Sequence, residues 1–359
     1  MATESPAQPP PAPLAAPKPR GSAAREFFSR WGLWCLLIAL PVVYAVKDLA
    51  GGHGLARLAQ NVVEGVSNGS IWALIAVGYT LVYGIIELIN FANGEVFMIG
   101  SFTSAALIGT LGLTLTTGPL GLVAGLLVIL VLAMVASGSL NVMIEKVGYR
   151  PLRNAPKLAP LITAVGFSFI LQNVGLLWLG GSPASVPDLI HAQQDVFTVF
   201  GVTVQRADIL AVGVTVPLVV GATTFIARSR LGKAMRATAQ DPDAARLMGI
   251  NVDTTISLTF LLGGMLAGAA GLIYALYETT IWYFQGFQAG LIAFTAAVMG
   301  GIGNLKGAVL GGLIIGIIQQ ISDNRIGPQW TPAIVFAFLV LIMVFRPQGL
   351  LGEETREAG

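Results

Sequence analysis

The stretch "GIIELINFANGEVFMIG", residues 84–100, sets two acids and two amides, Glu87, Asn90, Asn93 and Glu95, inside one of the most apolar parts of the chain. The runs around it decide the fold class. Of 359 residues 55% are apolar and 11% charged, with a mean hydropathy of +0.77, whereas soluble domains carry about 25% charged residues. The chain is read as an all-α polytopic membrane protein in a lipid bilayer. Its 44 Gly and 19 Pro suit helices that pack closely or break within a bilayer.

A membrane helix needs about 20 apolar residues. Runs of that kind predict about ten spans: 31–50, 61–86, 93–114, 119–145, 158–180, 208–228, 254–277, 287–302, 306–322 and 330–346. The eighth is short, and the run from 254 to 322 leaves room for a re-entrant segment. Lys and Arg concentrate on the cytoplasmic side of membrane proteins. Lys146, Arg150, Arg153 and Lys157 fall in one such loop, and Arg228, Arg230, Lys233, Arg236 and Arg246 in another. Both termini are then cytoplasmic. Residues 1–30 read as a disordered tail, 31–57 as an additional first span, 58–346 as the transport core and 347–359 as a short C-terminal tail.

Spans two to five and seven to ten run in opposite order, which permits an inverted-topology repeat with broken or re-entrant helices. On that pairing "ELINFANGEV" (87–96) corresponds to "YETTIWYFQGFQ" (277–288).

Charged and amide groups at membrane depth cost about 2.5–3.5 kcal/mol on insertion scales, so they face protein or water. Asn93-Gly94 is a turn signal and predicts a helix break. Glu87, Asn90, Phe91, Asn93, Gly94 and Glu95 are therefore the candidate lining of a solute pathway. The alternative is that the two Asn only cap helix ends in a tight turn, with the acids at the headgroups.

The segment 228–258 predicts a helix up to Asp241-Pro242, a second with Ala244, Ala245 and Met248 along one face, and a stop at Gly249. An element of this kind fits a groove on a soluble partner. The glycines between 300 and 316 predict close helix packing, with "GGLIIG" in small-xxx-small spacing.

Several function classes fall away. A net charge of +2 with scattered basic residues gives no nucleic-acid stripe. The single Cys35 makes no disulfide framework, and His53 and His191 have no metal-binding spacing; no cofactor is expected. No G-x-x-x-x-G-K-[ST] motif is present, so ATP is not bound by this chain. The few acids in or at the ends of the spans, Glu64, Glu87, Glu95 and Glu278, give thin support to an ion-coupled carrier.

Four stretches in order, "GSIWALIAVGYTLVYGIIELINFANGEVFMIGSF" (69–102), "IEKVGYRPLR" (144–153), "SRLGKAMRATAQDPDAARLMGINVDTTISLTF" (229–260) and "AFTAAVMGGIGNLKGAVLGGLIIG" (293–316), resemble the permease subunit of branched-chain amino acid ABC transporters, the LivH type. The resemblance implies a non-enzymatic permease in the bacterial inner membrane. Its implied partners are a second related permease subunit, two cytoplasmic ATPase subunits and an extracytoplasmic solute-binding protein. It also implies that 243–251 docks on the ATPase, with Arg236, Asp243, Ala244, Ala245 and Gly249 as coupling residues. The wider family includes urea and short-amide permeases, and a stand-alone secondary transporter is the rival class. Asn93 stands where the family usually has His, and Ile292 where relatives often have Lys. The first span with its Pro-rich tail is an addition to a shorter family core.

Overall fold

The computed structural model describes residues 42–44, 46, 56–114, 116–153, 155–156, 158–199 and 201–352. Cys35, His53, the 1–30 tail and most of the expected first span lie outside the described residues. From Ala56 onward the helices are α1 (Ala56–Ile86), α2 (Asn93–Thr110), α3 (Pro119–Ile144), α4 (Leu158–Leu179), α5 (Arg206–Arg228), α6 (Arg230–Gln240), α7 (Pro242–Leu247), α8 (Val252–Glu278), α9 (Gln285–Gly300), α10 (Leu305–Arg325) and α11 (Thr331–Phe345). A π-helical turn, Glu145–Tyr149, and a 3-10 turn, Arg150–Leu152, continue α3.

Seven helices among the described residues are long and apolar enough to cross a membrane. The runs expected at 93–114 and 287–302 fold as α2 (18 residues) and α9 (16 residues), and neither is among those seven. The fold also carries two small sheets that the all-α reading did not anticipate. β1 (Ala184–Ser185) pairs with β4 (Thr280–Ile281), and β2 (Asp195–Val199) forms an antiparallel hairpin with β3 (Val202–Gln205).

The chain packs as a core inside a ring. α1 and α8 are mostly buried, while α3, α4, α5 and α11 expose most of their surface. That exposed surface is apolar, as at Val131, Val135, Phe169, Leu177, Val216 and Val220. Such a ring is unfavourable in water and at ease in hydrocarbon, which is the physical content of the high mean hydropathy.

Hydrophobic burial does not hold helices together inside lipid, so contact depends on close approach of small residues. α1 and α10 meet through Gly65, Gly69, Gly312 and Gly316; a Cβ on Gly69 would stand 2.8 Å from the Gly312 carbonyl oxygen. α8 meets α3 where a Cβ on Gly264 would stand 2.7 Å from the Ser137 carbonyl oxygen. Gly307 and Gly311 face α9 instead, at Gly300 and Ala296, so the glycines of α10 serve two neighbours. α1 and α8 are antiparallel. Trp72 stacks near Tyr274 at 6.1 Å between ring centres, while Gly78, further along α1, lies on Gly263, earlier in α8.

Beyond α11 the last described residues fold back on the bundle. Leu350 N–H donates to Met299 O (2.8 Å) and Leu351 N–H to Gly300 O (3.0 Å), closing the α9–α10 turn.

Candidate functional site

Each half of the bundle has a helix break, and the helix starts that follow the two breaks meet inside the bundle. α1 ends at Ile86, Glu87 takes a left-handed backbone (φ 52), and α2 begins at Asn93. In the other half α8 ends at Glu278, Thr279 takes φ 53, and α9 begins at Gln285. Each break is a left-handed residue followed by a short connection and an amide-Gly helix start.

The chain doubles back after α1. A Cβ on Gly78 would lie 3.5 Å from Asn93 Nδ2, and Gly78 precedes the end of α1 by about 12 Å at 1.5 Å per residue. α2 thus starts well inside the bundle. So does α9, because the two starts touch: a Cβ on Gly94 would overlap the Gly286 carbonyl oxygen and stand 2.7 Å from Gly290 Cα.

This geometry corrects the expected turn at Asn93-Gly94. Both residues are helical, and the positive φ falls at Glu87. Gly94 is required because no side chain fits where two backbones meet, not because its φ is positive.

The polar side chains of the stretch have separate surroundings. Asn90 is a fastener: its Nδ2 donates to Asn141 Oδ1 (3.0 Å), and Tyr149 Oη donates toward Asn90 Oδ1 and Ile89 O (3.2 Å each). Asn141 Nδ2 in turn donates to Phe260 O at 2.7 Å, so the break is tied to α3 and α8. Ser168 Oγ on α4 donates to Glu95 Oε1 at 3.1 Å. Phe91 and Tyr79 pack on Phe294 with ring centres 5.9 and 6.1 Å apart. Of the six candidate pathway residues only Glu87 is exposed; Phe91 is half-buried, and Asn90, Asn93, Gly94 and Glu95 are buried.

The adjoining cavity, lined by Tyr79, Tyr83, Ile89, Phe294, Ala297 and Ile302, holds about 10 Å³. A water needs about 10–15 Å³, so no amino acid fits there in this conformation. Both polar atoms of Asn93, with Glu95 Oε2 and Gln285 Nε2, are buried with no hydrogen-bond partner among the described residues. Each such group costs about 1–3 kcal/mol, which makes the junction of the two half-helices the least satisfied part of the core.

The second site is the projection between α5 and α8. α6 and α7 form where expected, and Asp241 caps α7 by accepting from the N–H groups of Asp243 and Ala244 (2.9 Å each). Gly249 at φ +82 closes α7, with Ile250 N–H returning to Ala245 O at 3.0 Å. That is a Schellman ending, for which Gly is suited.

Ala244, Ala245 and Met248 do not share a face as expected. Ala245 is buried, whereas Ala244, Leu247 and Met248 point outward, the last two at 89% and 82% exposure. The projection thus ends in an apolar tip. Arg246 pairs with Asp243 at 2.8 Å, and Arg236 donates to Ile226 O at 2.8 Å, stabilising the end of α5 that carries the projection.

At the same end of the bundle lies an ionic cluster that sequence reasoning passed over. Glu145 is fully buried and pairs with Arg153, and its Oε2 accepts from Ser257 Oγ at 2.6 Å. Arg153 also pairs with Asp253, and Arg150 Nη2 reaches Asp253 Oδ2 at 2.6 Å. The signal was present in "IEKVGYRPLR", which holds an acid, an aromatic and two Arg beyond an apolar span. At the opposite end Glu64 Oε1 accepts from Gln60 (2.8 Å) and Oε2 from Gln320 (2.7 Å), and Trp72 Nε1 donates to Gln319 Oε1 (2.7 Å). The last two bonds join α1 to α10. Among the described residues no three His, Cys, Asp or Glu are placed to hold a metal.

The family model described as the branched-chain amino acid transport system permease component matches residues 61–344. The high-affinity branched-chain amino acid transport system permease protein BraD of Pseudomonas aeruginosa is 41% identical over 82% of this chain and 95% of its own length. The permease protein LivH of Escherichia coli K12 is also 41% identical, with the same coverage. The ribose import permease protein RbsC of Escherichia coli K12 is 24% identical over 90% of this chain and 96% of its own. No solved structure matches. With a family match across most of its length and close relatives covered almost end to end, the chain belongs to the permease components of branched-chain amino acid transport systems.

Proposed function

We propose that this chain is the permease subunit of an ATP-driven importer of branched-chain amino acids, forming half of the pathway in the bacterial inner membrane. The 41% identity to BraD and LivH is the observation that carries the substrate class. The apolar tip at Leu247 and Met248 supports docking of the projection on a cytoplasmic ATPase. That end of the bundle also holds Arg150, Arg153, Arg236 and Arg246, in keeping with a cytoplasmic position and with both termini inside.

The matched breaks after α1 and α8, with those helices antiparallel, support an inverted repeat of α1–α4 and α8–α11. A second permease subunit supplies the other half of the pathway, and an extracytoplasmic binding protein delivers the solute. Because Asn93, Gly94 and Glu95 are packed inside the subunit, their part in transport is that of a joint. The two half-helix starts slide or part there as ATP binds, and the unpartnered amides and carboxylate gain partners in the second arrangement. Solute then passes along the surface between subunits, beside Glu87 and Phe91 at the inner end.

Cells lacking their own branched-chain system, given this chain with its genetic neighbours, should accumulate labelled leucine. Isoleucine and valine should compete, and a large excess of urea should not. Competition by urea, with none by valine, would reassign the substrate to the short-amide branch.

A further inference from the structure

Arg153 lies between two elements that transport must move together. On one side is the docking projection. Ile250 N–H closes α7, Asn251 Oδ1 caps α8 through Thr254 N–H (3.1 Å), and Asp253 sits in the first turn of α8. The tip at Leu247 and Met248 is thus separated from Asp253 by only a few residues, in a turn held by these bonds.

On the other side is the π-helical turn Glu145–Tyr149. Such turns are rare and frequent at functional positions, and this one begins and ends on side chains that reach other elements. Glu145 at its start is fully buried and holds Arg153 and Ser257. Tyr149 at its end lies against Phe260 with ring centres 5.3 Å apart, and its hydroxyl reaches Ile89 O and Asn90 Oδ1 in the α1–α2 break.

Arg153 closes the gap between the two sides. One guanidinium nitrogen pairs with Glu145 and another with Asp253. Its planar fork can hold two carboxylates on two elements at fixed separation, which a single ammonium cannot. We propose that Arg153 is a positioning residue that carries movement of the docking tip, through Glu145 and Tyr149, to the break at 87–92 and so to the joint of the half-helices. This deepens the importer reading and rests on its docking assignment. Coupling between two sites is an energetic quantity, so the readout is coupling itself.

The test uses the complete transporter, with both permeases, the ATPases and the binding protein, in proteoliposomes, and measures leucine taken up per ATP hydrolysed. Arg153→Met and Tyr149→Phe should each lower that ratio at least tenfold, while the ATPases still copurify and hydrolyse ATP. Arg153→Lys should recover only a minor part, whereas a purely structural cation would be replaced well by Lys. Tyr149→Phe keeps the ring and removes only the hydroxyl, so it decides the matter even where Arg153→Met does not accumulate. A wild-type ratio in Tyr149→Phe overturns the proposal, and so does loss of the ATPases from that variant, which would make the residue one of assembly. Failure of the docking assignment is seen separately, as ATPases retained by a chain whose tip has been made acidic.

Discussion

Leu247→Asp with Met248→Asp should strip the ATPase subunits from a permease that still inserts and folds. Both side chains are almost fully exposed, and surface substitutions of that kind change stability by about 0.5 kcal/mol or less. Removed from the centre of an interface, each costs about 2 kcal/mol or more, so the pair weakens association by about three orders of magnitude. Copurification of the ATPases and leucine uptake should both fall to background, with membrane content of the permease unchanged. Gly249→Asp adds a different insult, since at φ +82 a residue with a Cβ bears left-handed strain of about 1–2 kcal/mol. Its surroundings are open, so it should weaken docking less than the double change at the tip.

Gly94→Val should be among the most damaging substitutions in the core. The added side chain would overlap the Gly286 carbonyl and press on Gly290, and both are backbone that cannot rotate away. Overpacking commonly costs about 1–3 kcal/mol, and a clash with two backbone segments belongs at or above the top of that range. The variant should aggregate on detergent extraction, or unfold at a much lower temperature than the parent. Gly109→Ala is the matched control: nothing lies within 4 Å of the added Cβ, and the position is helical. It should be neutral or slightly stabilising. Equal loss in both variants would mean that the meeting of α2 with α9 is not what holds the centre together.

Long apolar runs were legible as helices because nothing else satisfies backbone groups in a bilayer. The reading 158–180 became Leu158–Leu179, and 208–228 became Arg206–Arg228. The half-helices were harder, since hydropathy reports composition and not depth. α2 and α9 begin inside the bundle at an amide-Gly pair, and the first of these, Asn93-Gly94, looked like a turn. The matching left-handed residues, Glu87 and Thr279, carry no local signal, because neither type favours φ > 0.

The role of Asn90 could not be read from its neighbours. Its partners Asn141 and Tyr149 lie in a different helix and the turn beyond it. For the same reason the pairing of Glu145, Arg153 and Asp253, which come from separate segments, shows only where the fold brings them together. The β2–β3 hairpin had a signal, with Val, Phe and Thr either side of Gly201 (φ 79). It was overshadowed by the membrane spans.

We propose that this chain is half of a pathway that other subunits drive. Purified components in proteoliposomes, with labelled leucine outside and ATP inside, test this most directly. Leucine should accumulate only when this permease, its partner permease, the ATPases and the binding protein are all present, and omission of any one should reduce uptake to the level of empty vesicles. Leucine uptake by this chain alone, passive or driven by an imposed ion gradient, would contradict the account and make it a stand-alone carrier.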